Sequence, residues 1–83
     1  MKYVRDQEGL NQFGARLRHL RLAQGLTQEA LAAAAGLEFS QIGRIERGVI
    51  NTSLSTVFVL ARTLQVEVRE FFEASSALPP LSE

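Results

Sequence analysis

The stretch TQEALAAAAGLEFSQIGRIERG, residues 27–48, decides the fold, because one glycine separates two segments that both have helical patterns. Before Gly36, Leu31 and a run of alanines have high helix propensity. After it, Ile42 and Ile45 recur on one helical face. A glycine at this point predicts a turn with positive φ, where a Cβ would strain the backbone. The pattern therefore predicts two short helices that are joined by a turn of about three residues.

Two short helices joined in this way cross at a steep angle, which is the arrangement of a helix-turn-helix motif. Ala32 is small where the two helices would approach most closely, and Leu37 is expected to join the isoleucines in a shared core. An ordinary αα-hairpin also has a glycine cap and apolar faces, so Gly36 alone does not distinguish the two structures.

Helical patterns also flank this stretch on both sides. Phe13, Leu17 and Leu20 form a stripe that predicts a first helix, with Asn11 as its N-cap and Gly25 as its stop. Beyond Gly48, turn residues precede another helical stripe, formed by Leu54, Val57, Leu60, Ala61 and Leu64. A short fifth helix is predicted at about 68–73, where it would bury Val68 and Phe71. The expected fold is all-α, a compact bundle of five short helices. An arm is expected at residues 1–10, the helical domain at 11–73 and a tail at 74–83.

Composition excludes several classes of function. The 83 residues suit one domain, and there is no cysteine and only one histidine, His19, so neither a disulfide scaffold nor a metal site is expected. No carboxylate pair is set in an apolar stretch, so the chain is not expected to be an enzyme or to need a cofactor. It lacks an apolar run long enough to cross a bilayer and begins without the pattern of a signal peptide, which predicts a cytoplasmic protein.

The charges balance, with nine Lys or Arg against nine Asp or Glu, which argues mildly against a polyanionic partner. Their distribution is uneven, because five arginines lie between residues 16 and 47, whereas residues 67–83 are mainly acidic. Such segregation can give a neutral molecule a basic face. The alternative is that these charges are scattered over a solvated surface.

The segments LRHLR, GLTQEALA, AGL, IGRIERG, NTSL and LARTLQV cover roughly residues 11–72. Together they resemble the Cro/CI-type (Xre-like) helix-turn-helix family, which includes the lambdoid phage repressors and many bacterial regulators. The resemblance implies a lambda-repressor-like DNA-binding domain whose third helix, about Glu38–Arg47, enters the major groove of a palindromic operator. It also implies a homodimer, a nucleoid-associated location and a role as a transcriptional regulator, with repression as the expected action.

The resemblance further suggests which residues meet DNA. The positions expected to read bases are on the third helix: Glu38, Phe39, Ser40, Gly43 and Arg44. Arg44 is the strongest candidate, because a guanidinium can donate to both acceptors of guanine. Gly43 offers no side chain, which is unusual for a base-reading position. Residues expected to contact phosphates lie mainly at helix starts and in the following loop: Gln28, Gln41, Arg47, Asn51 and Thr52.

Two further sets of residues have structural roles in this scheme. The family commonly pairs the positions of Arg21 and Glu46 in an ion pair between the first and third helices. An apolar patch is expected to form the dimer interface, with members Phe58, Val59, Phe72 and Leu78. The alternative is that Val59 and Phe72 belong to the core.

Three other functions remain open at this stage. The zero net charge, Phe39 and Gly43 favour a protein-interaction module that uses a helix-turn-helix scaffold without binding DNA. An antitoxin that binds both DNA and a protein is a second possibility. A restriction–modification controller protein is the third, and the sequence alone does not separate them.

Overall fold

The computed structural model describes residues 4–73, which form four α-helices and a 3-10 helix and contain no strand. The helices are α1 (Gln7–Ala23), α2 (Gln28–Ala35), α3 (Phe39–Glu46) and α4 (Leu54–Leu64), followed by the 3-10 helix Val68–Phe72. The all-α prediction is confirmed. The predicted fifth helix is a 3-10 helix, because only five residues lie between its N-cap Glu67 and Glu73, where the chain becomes extended.

The first helix begins five residues earlier than predicted. Asp6 is its N-cap, and the Asp6 carboxylate accepts a hydrogen bond from the Gly9 amide at 2.9 Å. Glu8 in the first turn adds a favourable charge near the positive end of the helix dipole. Residues 7–10 are therefore helical and do not form an arm, and Asn11 lies inside α1.

The core is mainly aliphatic. The residues buried there are Phe13, Leu17, Leu20, Leu31, Ala32, Ile42, Ile45, Val57, Leu60, Ala61, Leu64 and Phe71. The stripe predicted for α4 is correct except at its first member, because Leu54 is 70% exposed. Phe71 closes the core against Phe13, with 5.1 Å between the ring centroids.

Gly14 lets α3 lie directly against α1. A Cβ on Gly14 would come within 2.4 Å of the Ile45 carbonyl oxygen and 2.6 Å of the Glu46 carbonyl oxygen. Both obstructing atoms belong to the α3 backbone, which cannot swing aside as a side chain can. The absence of a side chain at position 14 therefore allows this close contact between α1 and α3.

None of the helices among residues 4–73 is long and apolar enough to cross a membrane.

Candidate nucleic-acid interface

The turn between α2 and α3 has the geometry that its sequence predicts. Gly36 adopts φ 72° and ψ 30°, in the left-handed region that favours glycine. Its neighbour Leu37 donates its amide to the Ala32 carbonyl at 2.9 Å, which completes the end of α2. Thr27 caps the start of α2 by accepting a hydrogen bond from Ala30. The chain therefore leaves α2 and enters α3 after three residues.

The third helix has one buried side and one exposed side. Ile42 and Ile45 are fully buried in the core. On the outer side Phe39 is 54% exposed, and Ser40 and Arg44 are exposed as well. Glu38 is the N-cap of α3, and it is exposed without a side-chain capping bond. Four of the five residues predicted to read bases are thus exposed to solvent.

Gly43 differs from those four residues because it is buried. A Cβ on Gly43 would lie 3.0 Å from Nη1 of Arg47 and 3.6 Å from Oε1 of Gln28. Both of those side chains therefore cover this part of α3. The expectation that Gly43 lies on the exposed face is wrong for the DNA-free protein, since a glycine leaves room that neighbouring side chains fill.

Glu46 and Arg21 form the ion pair expected between α1 and α3. Nε of Arg21 lies 2.7 Å from Oε2 of Glu46, and Nη2 lies 3.0 Å from Oε1. The two side chains are only 7% and 2% exposed. Arg21 also donates to the Leu26 carbonyl at 2.7 Å, which ties in the loop before α2. The hydrogen bond to Glu46 raises the pKa of Arg21, although burial acts to lower it.

Gln28 joins this network from the first turn of α2. Its side-chain amide donates to Oε1 of Glu46 at 2.9 Å. A glutamine amide has two hydrogens, so this bond fixes the side chain and leaves one hydrogen for a phosphate oxygen. Glu46, the last residue of α3, therefore links α3 to both α1 and α2.

The remaining residues predicted to contact phosphates differ in accessibility. Arg47 and Asn51 are exposed, and Gln41 is half-buried. The hydroxyl oxygen of Thr52 is buried and has no hydrogen-bond partner among residues 4–73, so it does not face outward as expected. The neighbouring Ser53 caps α4 instead, by accepting from the Thr56 amide at 3.2 Å. Only the main chain of Thr52 stays a candidate for phosphate binding.

Two residues of the predicted arm hold the loop that follows α3. Arg5 donates to the Val49 carbonyl at 3.0 Å, and Gln7 donates to the Gly48 carbonyl at 2.7 Å. No periodic pattern indicates these bonds in advance, because each joins a side chain to a backbone atom more than forty residues away. They fix the segment that carries Arg47 and Asn51.

The arginines of α1 contribute less to a basic face than their number suggests. Arg21 is buried against Glu46, and Arg16 donates to the Glu70 carbonyl at 2.8 Å. The exposed cations nearest the turn in sequence are Arg44 and Arg47. Any positive surface at α3 depends mainly on those two side chains.

The predicted dimer residues also differ in exposure. Phe58 and Phe72 are 45% and 58% exposed, so Phe72 does not belong to the core, although its ring lies 5.8 Å from that of Phe13. Val59 is half-buried. Leu78 lies outside the described residues. An apolar cleft of about 340 Å³ is lined in part by Phe72, Leu54 and Val57.

Comparison with known proteins gives a consistent result. The model of the family described as Helix-turn-helix (HTH_3) matches residues 17–71. An uncharacterized transcriptional regulator in the ATPase CF(0) region of Rhodospirillum rubrum is 41% identical over 71% of this chain and 55% of its own length. The control protein C.SmaI of Serratia marcescens is 40% identical over 63% of this chain and 62% of its own length.

A solved structure is similar over nearly all of its length. The restriction-modification controller protein C.AhdI of Aeromonas hydrophila has a TM-score of 0.76 and 49% identity, over 78% of this chain and 98% of that one. By contrast, this chain spans less than two thirds of either of the two curated relatives.

Proposed function

Since this chain belongs to the Helix-turn-helix family, we propose that it binds double-stranded DNA in a sequence-specific manner and regulates transcription without catalysing a reaction. The observation that carries this proposal is the division of α3 into a buried apolar side and an exposed side with Ser40 and Arg44. An exposed helix face of this size fits the major groove of B-DNA. Such a regulator acts where the DNA is, which agrees with the expected cytoplasmic location.

The bases are read from the outer side of α3. Arg44 donates to the O6 and N7 acceptors of a guanine, a contact that discriminates against other bases by about 1–3 kcal/mol. Ser40 can bond to a base or a phosphate, and Phe39 can contact a thymine methyl group. The Glu38 carboxylate repels phosphates, but it can face a cytosine, because it accepts a hydrogen bond from the amino group of that base.

The phosphates are bound by groups that flank α3 on both sides. On one side Gln28 offers its remaining amide hydrogen at the start of α2, where the helix dipole also favours an anion. On the other side Arg47, Asn51 and the main chain of Thr52 lie between α3 and α4. These contacts carry no sequence information, but they set the register of α3 on the duplex. Gln41, half-buried on α3, belongs to the same group.

We further propose that the protein binds as a homodimer on a palindromic operator. The support is the exposure of two phenylalanines, Phe58 on α4 and Phe72 on the 3-10 helix, which a monomer would leave in water. Val59 and Leu78 remain proposed members of the same interface. A two-fold dimer places its two reading helices about one turn of DNA apart, or roughly 34 Å.

A narrower second candidate is control of restriction–modification genes. It is favoured by the 49% identity to C.AhdI, which extends over 98% of that controller protein. Repression of transcription is the proposed action in either case. The antitoxin and the protein-interaction module are outcomes that the experiment below separates from these.

The test is selection of binding sites from random duplexes at two salt concentrations. We expect enrichment of a palindrome with half-sites about one helical turn apart. Binding should weaken steeply as salt rises, because phosphate contacts release counterions. Recovery of no common sequence at either salt concentration would contradict the proposal and favour the protein-interaction module.

A further inference from the structure

Gly43 leaves a notch in the middle of α3, and two side chains from different elements fill it. Arg47 reaches the notch from the C-terminal end of α3, and Gln28 reaches it from α2. A Cβ on Gly43 would lie 3.0 Å from the Arg47 Nη1 atom and 3.6 Å from the Gln28 Oε1 atom. Both polar groups therefore lie within 4 Å of the position that a Cβ of residue 43 would occupy.

Helix stability does not explain a glycine at this position. Glycine in a helix interior costs about 1 kcal/mol relative to alanine. The contrast with Gly14 is informative, because an added Cβ there would meet backbone carbonyl oxygens at 2.4 and 2.6 Å. At Gly43 the atom in the way is Nη1 of Arg47, the end of a flexible side chain that can move at little cost, whereas Gln28 is at ordinary contact distance. Packing of the fold therefore tolerates alanine at 43 but not at 14.

We propose that Gly43 is a positioning residue, whose missing side chain lets the Arg47 guanidinium lie across α3 beside Gln28. This inference rests on the proposed function, which assigns Arg47 and Gln28 to the DNA backbone. Gln28 is already fixed by its 2.9 Å bond to Glu46, so it forms a stationary side of the notch. A Cβ at position 43 displaces the mobile partner, Arg47, and moves its charge away from the phosphate that Gln28 contacts.

The notch also keeps Arg47 and Arg44 in separate roles. Arg47 is four residues beyond Gly43, so on a helical path its side chain can fold back over the glycine. Arg44 follows Gly43 directly and therefore points to a different side of α3. Displacing Arg47 should accordingly weaken binding to all sequences and leave the base preference unchanged.

The test combines Gly43→Ala, Arg47→Ala and the double variant. Duplex affinity is measured by fluorescence anisotropy at several salt concentrations, with melting temperature by circular dichroism. We expect Gly43→Ala to keep or raise the melting temperature and to bind about tenfold more weakly, the size of one lost charge-assisted contact. Its salt slope should fall by about 0.9, which corresponds to one phosphate. Adding Gly43→Ala to Arg47→Ala should cause no further loss.

Other outcomes overturn the inference. An equal loss on adding Gly43→Ala in both backgrounds would mean that the new methyl group obstructs DNA directly. If the Gly43→Ala variant binds the duplex with unchanged affinity, the notch has no role in DNA binding. Arg69→Ala is the matched control for charge, because it removes an exposed arginine of the 3-10 helix that is paired with Glu73, and its salt slope should stay unchanged.

A measurement without DNA keeps this inference distinct from the proposed function. In the free protein, nuclear Overhauser contacts between the Gly43 α-protons and the Arg47 side chain should be present. If these contacts are absent, the Arg47 side chain does not lie over Gly43, and the inference fails whatever the protein binds. If they are present but the unsubstituted protein binds no duplex, the proposed function fails, and with it the role of Gly43 in binding DNA.

Discussion

Glu46 receives two hydrogen bonds from the guanidinium of Arg21, at 2.7 and 3.0 Å, at a site where both side chains are almost completely buried. A third bond, from the Gln28 amide, reaches the same carboxylate at 2.9 Å. The carboxylate thus joins α1 to both helices of the motif. A buried ion pair of this kind is weak evidence for net stability, and its main effect here is to fix the position of α3.

Removal of one partner from this pair should be strongly destabilising. Glu46→Ala leaves the Arg21 charge buried without a counter-ion, which costs about 3–5 kcal/mol. For a domain of this size, the melting temperature should fall by more than about 10 °C. Glu73→Ala is the matched control, because it breaks the exposed Arg69–Glu73 pair and should change the melting temperature little. Equal melting curves for the two variants would contradict a buried pair.

Alanine at position 14 should destabilise the protein although alanine is the better helix former. The new methyl group would overlap the carbonyl oxygens of Ile45 and Glu46, and overpacking of this kind costs about 1–3 kcal/mol. Thermal unfolding of Gly14→Ala should therefore occur at a lower temperature. Gly43→Ala is the control, since the same substitution in α3 meets only side-chain atoms. A Gly14→Ala variant as stable as the unsubstituted protein would show that α1 and α3 are not in such close contact.

Arg44 and Arg47 should differ in their effect on sequence preference. Arg44→Ala should reduce discrimination at one base pair by about 1–3 kcal/mol, because a bidentate contact to guanine is lost. Arg47→Ala should weaken binding to all duplexes alike and lower the salt slope by about 0.9. Affinities for the selected duplex and for its single-base variants distinguish the two effects. If both variants lose the same discrimination, the division between base reading and phosphate binding is wrong.

Phe58 should be required for the dimer. Lysine at this exposed position of α4 places a charge in the proposed interface, so Phe58→Lys should shift the protein to monomer in sedimentation experiments at tens of micromolar protein. Leu22→Lys is the control, because Leu22 is also exposed but lies on α1, outside the proposed patch. A protein that is monomeric before substitution, or a dimer that Phe58→Lys leaves intact, would refute this interface.

Local backbone chemistry explains why much of the fold could be predicted from the sequence. Gly36 has the positive φ expected of it, and Thr27, a residue type with N-cap chemistry, caps α2. The stripe of Phe13, Leu17 and Leu20 is buried, because helical periodicity dictates which side faces the core. The family resemblance, in turn, supplied the pairing of Arg21 with Glu46, which periodicity alone does not indicate.

The errors concern one missed helix cap and packing that the periodic pattern of the sequence does not indicate. Asp6 was overlooked as the N-cap of α1, because the apolar stripe begins only at Phe13. The close packing at Gly14 was not predicted, because it depends on the backbone of α3 more than thirty residues away. Gly43 was expected to be exposed, and its burial depends on where Arg47 and Gln28 place their side chains. Leu54 follows the stripe of α4 but lies beyond the edge of the core.

The most direct test of the account is cross-saturation from a selected DNA duplex to the isotopically labelled protein, observed by NMR. We expect the strongest transfer to Gln28, to the residues from Phe39 to Arg44, to Arg47 and to the loop from Asn51 to Ser53. Transfer centred on Phe58 and Phe72, with none to α3, would contradict the claim that the outer side of α3 lies in the major groove.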